Sequence, residues 1–293
     1  MDLYSAVARV AERGGMVMAL GGLDTGKSTF CRMCAEVAVR LGRRVAYLDL
    51  DVARATVGPP ATVGLKFVEQ ELDLEPATLS RADRLYFVGA VSAENHELPL
   101  VIGAMKLATE ARAAGVHLIV VDTTGFIDGT RGQSLKLHKV EVLQPDTVVG
   151  FQRGGELDPI LGAVRRTVSA EVIALPVDPK IKPSTPDERA TQRQEALRAA
   201  FEGPVYNWSV KPSVIVPAVP PGMEPSNLDR ILVGMEDGDG HCIGVGILEW
   251  RRDGLHMISR LDEGARGLRL GSLRVEPDFR ISAVDLQDAF FFG

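Results

Sequence analysis

The sequence lacks the long apolar runs and the cysteine content that mark membrane and secreted proteins. No stretch approaches the roughly 18 consecutive apolar residues of a membrane-spanning helix, and residues 1–15 are not an apolar signal peptide. Three cysteines are too few for a disulfide framework. Together these absences predict a cytoplasmic globular protein without membrane association.

Two of the cysteines, Cys31 and Cys34, have the C-x-x-C spacing of some metal and redox sites. They fall inside a predicted helix, however, and isolated thiols at helical spacing more often pack in a protein interior. We interpret them as packing residues.

The chain also lacks an excess of positive charge. Its net charge of −6 argues against a broad basic surface for nucleic acid, although a local basic groove remains open. Basic residues are unevenly placed, and one third of the chain contains Arg131, Lys136, Lys139, Arg153, Arg165, Arg166, Lys180, Lys182, Arg189, Arg193 and Arg198. For most of these, solvated helix faces are the favoured interpretation.

Short apolar runs alternate with amphipathic stretches along most of the chain. The runs predict strands at 16–20, 44–48, 85–91, 117–121, 147–151 and 171–175. The amphipathic stretches predict helices at 26–41, 98–114, 133–143, 156–168 and 187–201. This alternation predicts an α/β fold, a three-layer sandwich with a mostly parallel sheet. From about residue 210, prolines and short runs at 231–235, 241–250, 255–260 and 267–275 predict a small β-rich module with a turn at 237–240.

The segment Gly21–Ser28 reads GGLDTGKS and matches the phosphate-binding P-loop pattern G-x-x-x-x-G-K-[ST]. It follows an apolar strand and precedes a helix, which is the context that the pattern requires. Its backbone N–H groups would surround phosphates, Lys27 would reach the β and γ oxygens, and Ser28 would offer a hydroxyl to Mg²⁺. The predicted nucleotide-binding residues are Gly22, Asp24, Thr25, Gly26, Lys27, Ser28 and Thr29.

Two further predicted strands end in acidic residues. The strand at 44–48 leads into Asp49 and Asp51, which strand alternation places on one side, and the strand at 117–121 leads into Asp122. Ligands of open parallel sheets collect at this edge. One acid of the pair can hold a Mg²⁺-bound water while the other takes a proton from a hydroxyl, and Asp122 suits a direct Mg²⁺ contact. The predicted metal site is therefore Ser28, Asp49 and Asp122, with acids that merely end strands as the alternative.

The order of these motifs resembles the polynucleotide 5'-hydroxyl kinases, the family of RNA kinases that act in mRNA 3'-end formation, tRNA splicing and ribosomal RNA processing. The likeness extends over about 21–203. Besides the P-loop, it rests on LDLDVARATVGPPATVGL, RLYFVGAVSAENH, VVDTTGFIDGTRGQSLKLHKVEVLQPD and ERATQRQEALRAAFEG. These segments resemble the family's D-x-D segment, its substrate clasp, its D-T-x-G stretch with the following helix, and its lid.

The resemblance implies Mg²⁺-dependent transfer of the γ-phosphate of ATP or GTP to the 5'-hydroxyl end of RNA or DNA. It assigns Asp51 as general base, Asp49 as support for Mg²⁺, and Lys27 together with the lid residues Arg189 and Arg193 as further catalytic groups. The two arginines are four residues apart and share a helix face, and their forked cations suit a transferring phosphoryl group. Ordinary exposed helix arginines are the alternative.

The sequence departs from the family pattern on the substrate side. Ala53-Arg54 stands where the family usually has Gly-Gln, Pro60-Ala61-Thr62 stands for P-G-T, and Phe126 stands for a tryptophan. Phe126 either stacks on a base or packs in the core. The predicted substrate-binding residues are Arg54, Thr62, Asn95, His96, Thr124, Gly125 and Phe126.

The resemblance implies a compact, prokaryotic-type member with two domains. Residues 1–205 would form the P-loop kinase domain with a helical lid near 180–201, and residues 206–293 the small β-rich domain. Two other functions remain open. A regulatory NTPase switch of the MinD or signal-recognition class would use Asp122–Gly125 as its D-x-x-G motif, although no N-K-x-D motif follows, and a scaffold would bind ATP without transferring phosphate.

Overall fold

A computed structural model describes residues 1–220, 223–262 and 264–286 of the chain. Its contacts divide into two compact units. The first contains Met1–Gly58, Val63–Asp83 and Ser92–Ser184, and the second contains Pro59–Thr62, Arg84–Val91 and the chain from Thr185 onward. The predicted domain boundary near 205 stays a prediction, because a compact unit is not by itself an independently folding domain.

Helices and strands follow one another along the chain in the order that the sequence pattern predicts, with additions. They are α1 (Leu3–Arg13), β1 (Gly15–Gly21), α2 (Lys27–Arg40), β2 (Val45–Leu50), β3 (Thr62–Val68), α3 (Pro76–Leu79), β4 (Arg84–Phe87), α4 (Glu97–Ala113), β5 (Leu118–Thr123), α5 (Gly129–Leu143), β6 (Thr147–Gln152), α6 (Asp158–Thr167), β7 (Glu171–Pro176), α7 (Pro186–Ala200), β8 (Tyr206–Ser209), β9 (Ile215–Val216), β10 (Ile231–Glu236), β11 (Cys242–Arg251), β12 (Gly254–Ser259), β13 (Gly267–Val275) and β14 (Ile281–Ala283). Among these described helices, none is both long and apolar enough to cross a membrane.

The sheet of the first unit has the strand order β3-β2-β5-β1-β6-β7. The five strands from β2 to β7 in this order run parallel, and only β3 is antiparallel to its neighbour β2. Strands β2 and β5 are buried along their whole length, as expected where helices cover both faces. The predicted P-loop α/β fold is confirmed.

One side of this sheet is covered by α1 and α2. Helix α1 was not predicted; Asp2 caps it by accepting a hydrogen bond from the Ser5 N–H at 2.9 Å, and it buries Ala6, Val7, Val10 and Ala11. The Cys31 and Cys34 thiols are buried in the same core, form no disulfide, and have pKa values raised by burial. Their interpretation as packing residues is confirmed.

The second unit is built mainly on antiparallel strands. Strands β14-β13-β10-β11-β4 are neighbours in that order, β12 and β8 extend the sheet beyond β11, and β9 pairs with β13. The predicted hairpin is present: β10 and β11 flank a turn in which Asp237 Oδ1 accepts from the N–H groups of Asp239 at 2.8 Å and His241 at 3.1 Å. Helix α7 adds Leu197 to an apolar core that contains Phe87.

Candidate active site

The P-loop joins β1 to α2 and has the backbone of a phosphate-binding turn. Asp24 and Gly26 adopt left-handed φ angles of 50° and 92°, which turn successive N–H groups toward one side. The Lys27 ammonium donates to the Gly22 carbonyl oxygen at 2.6 Å, and the Thr25 hydroxyl donates to the same oxygen at 3.1 Å. The loop is therefore shaped by its own residues.

Two predicted nucleotide ligands, Ser28 and Thr29, lie in the first turn of α2 with their side chains exposed. Exposed hydroxyls at a helix N-terminus are accessible to phosphate and to a cation that accompanies it. Their nucleotide contacts stay predictions.

Asp24 is tied to three other segments of the first unit. Its Oδ1 accepts from the Arg54 guanidinium at 2.5 Å, its Oδ2 from the Ser184 N–H at 2.8 Å, and its carbonyl oxygen from the Arg153 guanidinium at 2.7 Å. Arg54 is thus joined to the P-loop, while its predicted role in substrate binding stays a prediction. Sequence reasoning did not find Arg153, because nothing in a local pattern links it to a loop far back in the chain.

Asp122 is the last residue but one of β5 and is 1% exposed. Burial raises its pKa to about 6, while the Lys27 charge and a hydrogen bond with the Ser28 side chain act in the opposite direction. Its Oδ1 is buried without a hydrogen-bond partner among the residues that the structure describes. A carboxylate oxygen with an open position beside a hydroxyl fits Mg²⁺, which prefers oxygen ligands and keeps several waters.

Asp49 is the direct neighbour of Asp122 across β2 and β5. Its Oδ1 accepts from the Asp51 N–H at 2.9 Å, and its Oδ2 accepts from the N–H groups of Val57, at 3.1 Å, and Thr56. Burial and the charges of Asp122 and Asp51 raise the pKa of Asp49. Asp49 therefore holds the chain that follows β2, and its predicted support of Mg²⁺ stays a prediction.

Asp51 is only partly buried and keeps one oxygen available. Its Oδ1 accepts from the Ala53 N–H at 3.1 Å, whereas its Oδ2 accepts no hydrogen bond from the part of the chain that is described. A general base needs such an open oxygen to receive a proton.

The segment after Asp122 packs on the P-loop. A Cβ added at Gly125 would lie 2.8 Å from the Leu23 nitrogen, so only glycine allows this approach. Thr124 is buried, and Phe126 is half-buried. The role of Phe126 in substrate binding stays a prediction.

Two fully buried lysines of α5, Lys136 and Lys139, complete the cluster of charges. The Lys136 ammonium donates to Thr123 Oγ1 at 3.1 Å, to Thr124 Oγ1 at 3.2 Å and to the Thr124 carbonyl oxygen. Interpreting these two lysines as residues of a solvated helix face was wrong. The signal was present, because they are three residues apart on the face that also buries Leu143.

The remaining predicted substrate-binding residues lie in two places. Asn95 is exposed with a φ of 65°, and His96 is the N-cap residue directly before α4, with its Nδ1 3.0 Å from the Glu94 carbonyl oxygen. Thr62 belongs to the second unit, where its hydroxyl donates to the Pro59 carbonyl oxygen at 2.7 Å. Their roles in substrate binding stay predictions.

Arg189 and Arg193 belong to α7 in the second unit. Burial and the charge of Arg189 lower the pKa of Arg193, and the Arg193 Nε is buried without a hydrogen-bond partner in the described structure. Two guanidinium groups this close favour an anion between them. Their role in a lid stays a prediction.

The sequence matches the model of a known protein family. The family model described as the P-loop of mRNA cleavage and polyadenylation factor CLP1 matches residues 21–203, more than half of the chain. The chain belongs to this family. It is therefore a P-loop nucleotide-binding protein, and the resemblance inferred from its motifs is confirmed.

Similar proteins carry a common name. The polyribonucleotide 5'-hydroxyl-kinase of Pyrococcus horikoshii is 28% identical to this chain in an alignment 306 positions long. The alignment covers 85% of this chain and 81% of that protein. The protein of the same name from Methanocaldococcus jannaschii is 25% identical to this chain in an alignment 323 positions long. This alignment covers 89% of this chain and 87% of that protein. The polyribonucleotide 5'-hydroxyl-kinase Clp1 of Bos taurus is 29% identical over 201 residues, covering 66% of this chain but 46% of that protein.

A solved structure shares the fold at low sequence identity. One chain of the wild-type Clp1p–Pcf11p complex aligns with a TM-score of 0.74 and 15% identity, covering 93% of this chain and 78% of that one. This likeness supports the fold. The predicted enzyme class agrees with the names of the relatives.

Proposed function

We propose that this protein is a polyribonucleotide 5'-hydroxyl kinase that transfers the γ-phosphate of ATP to the 5'-hydroxyl end of RNA with the help of Mg²⁺. The order of three neighbouring strands carries the proposal. Strand β5 lies between β1, which leads into the P-loop, and β2, which leads into Asp51. The phosphate loop, the Asp122 carboxylate and the Asp51 carboxylate thus follow one another along one edge of the sheet.

On the donor side, the P-loop N–H groups and Lys27 would bind the β and γ phosphates of ATP. Ser28 and Asp122 would hold Mg²⁺, which supplies charge neutralisation on the phosphate oxygens when bound. The unpaired Oδ1 of Asp122 supports this assignment.

On the acceptor side, the open Oδ2 of Asp51 would receive the proton of the RNA 5'-hydroxyl. The hydroxyl oxygen forms a bond to the γ phosphorus as the bond from that phosphorus to the β-phosphate oxygen breaks, and ADP leaves. The N–H groups of Asp51 and Ala53 fix the two carboxylates from the backbone, since they donate to Asp49 and Asp51 respectively. Such fixed geometry favours an in-line displacement.

Incubation with γ-labelled ATP, Mg²⁺ and a 5'-hydroxyl RNA oligonucleotide tests the proposal. We expect label at the 5' end of the RNA, no transfer in excess EDTA, and loss of transfer in Asp51→Asn. The control Asp262→Asn changes an exposed carboxylate of the second unit and should transfer normally. Absence of transfer to RNA by the folded wild-type protein would contradict the proposal; a parallel DNA oligonucleotide and GTP compare acceptors and donors.

The same assay separates the two other functions. A regulatory switch would hydrolyse nucleotide in response to a protein and ignore oligonucleotides, and a scaffold would bind ATP without transfer. The switch interpretation depends on Asp122–Gly125 alone, whereas the family match extends over residues 21–203.

A further inference from the structure

Most of the buried charged residues of the described chain form one cluster. Among the residues that the structure describes, five charged residues are buried as whole residues, namely Lys27, Asp49, Asp122, Lys136 and Lys139, and the side chain of Asp24 in the P-loop is 7% exposed. All five belong to the first unit and surround the carboxyl ends of β2 and β5. A buried charge is costly unless it is compensated, so five of them in one cluster indicate a function.

Lys136 is fixed by three acceptors. The Thr123 hydroxyl donates its own hydrogen to the Ala19 carbonyl oxygen at 2.7 Å, so its oxygen accepts from Lys136. With the two oxygens of Thr124, all three ammonium hydrogens are used. Lys136 thereby anchors the segment between Asp122 and the glycine that packs on the P-loop.

Lys139 differs because its ammonium has no hydrogen-bond partner among the described residues. The charges of Asp51 and Asp49 favour its protonated form, while burial lowers its pKa to about 8. For Lys136, burial lowers the pKa, and the charges of Asp51 and Asp122 raise it by a smaller amount. The two lysines are thus linked to the three aspartates by charge.

We propose that Lys136 and Lys139 are positioning residues that compensate the charges of Asp49, Asp51 and Asp122, so that the site binds an anionic nucleotide. Without them, Lys27 would be the one remaining cation among the buried residues of this cluster, beside the three carboxylates. The inference deepens the proposed function, since it concerns nucleotide binding at the same site.

Binding of two separate probes tests the proposal. Lys139→Met removes the charge and keeps most of the volume, whereas Lys139→Arg keeps the charge. Because one charge acts with opposite sign on an anion and a cation, Lys139→Met should weaken binding of ATP in EDTA and strengthen binding of MgCl₂ alone, each by about tenfold. Isothermal titration calorimetry measures the affinities for ATP and for MgCl₂. Both affinities should remain near the wild-type values in Lys139→Arg. Lys211→Met, which changes an exposed lysine of the second unit, is the control.

A second variant keeps the test decisive if Lys139→Met does not fold. Asp51→Asn removes a partly exposed negative charge, so ATP in EDTA should bind about tenfold more tightly and MgCl₂ more weakly. Parallel losses of both affinities in Lys139→Met, or unchanged ATP affinity in Asp51→Asn, would overturn the proposal. Neither measurement requires phosphate transfer, so failure of the proposed kinase activity would be seen separately.

Discussion

The two units of the chain bury different kinds of side chain. The first contains all five buried charged residues of the described chain, whereas the cores of the second are apolar and enclose residues such as Phe87, Leu232 and Met257. Apolar burial contributes stability, and buried charge usually reduces it. The comparison therefore predicts that variants of the charged cluster mainly change chemistry, whereas core variants of the second unit mainly change stability.

The largest expected effect is a loss of the phosphate transfer rate in Lys27→Ala. The ammonium donates to the Gly22 carbonyl oxygen within the P-loop, and in the proposed function it would stabilise the negative charge of the transferring phosphate. We expect the rate of phosphate transfer to fall by about a thousandfold or more, with the unfolding free energy little changed. The rate of phosphate transfer and the free energy of unfolding in urea are measured, with Lys211→Ala as the control. A large loss of unfolding free energy in Lys27→Ala would contradict the comparison between the two units.

The next effect concerns stability, in Phe87→Ala of the second unit. The ring is buried, and a Cβ at Gly234 or Gly271 would approach it closely, so two strands pack directly on it. We expect a loss of about 3–5 kcal/mol in unfolding free energy. Tyr4→Ala removes an exposed aromatic and should change stability by less than about 0.5 kcal/mol. A Phe87→Ala loss similar to that of Tyr4→Ala would contradict the prediction.

The sequence was most informative where structure is determined locally. The strands β1, β2 and β5 are continuous apolar runs, and the P-loop needs particular residues at particular positions, so both could be predicted. Strand β3 was missed because its pairing with β2 depends on distant residues and it contains Gly64, a poor strand former; a Cβ there would collide with the Val57 carbonyl oxygen.

The site shows the same limit. Asp49, Asp51 and Asp122 were found because acids directly after apolar runs of the sequence are conspicuous; the structure includes Asp49 in β2 and Asp122 in β5. Lys136 and Lys139 were assigned to solvent because charged residues on helices are usually solvated. Their spacing relative to Leu143 places them on one face of α5, but a face that carries charge does not indicate in the sequence that it is the buried one.

A smaller effect distinguishes the two neighbouring aspartates. Asp49 accepts three backbone hydrogen bonds, so Asp49→Asn places a donor against donors and should cost about 1–3 kcal/mol of stability. Asp122→Asn removes the charge of a buried carboxylate whose Oδ1 has no hydrogen-bond partner among the described residues, so the free energy of unfolding should stay equal or rise. The Mg²⁺ concentration needed for half-maximal transfer should increase. Urea unfolding of both variants and the Mg²⁺ dependence of transfer check this pair. An equal loss of unfolding free energy in the two variants would contradict this difference between Asp49 and Asp122.

The smallest effect is expected for Arg54→Ala. The Arg54 side chain in its ion pair with Asp24 is 49% exposed, although the Asp24 side chain is only 7% exposed, so solvent screens the pair from one side and its contribution to stability should be about 1 kcal/mol or less. If Arg54 also contacts the RNA, as predicted, the KM for the oligonucleotide should rise about three- to fivefold while the KM for ATP stays unchanged. Arg153→Ala is the matched comparison, because Arg153 binds the backbone of the same P-loop residue. An increase in the KM for ATP alone in Arg54→Ala would instead assign this arginine to the shape of the P-loop.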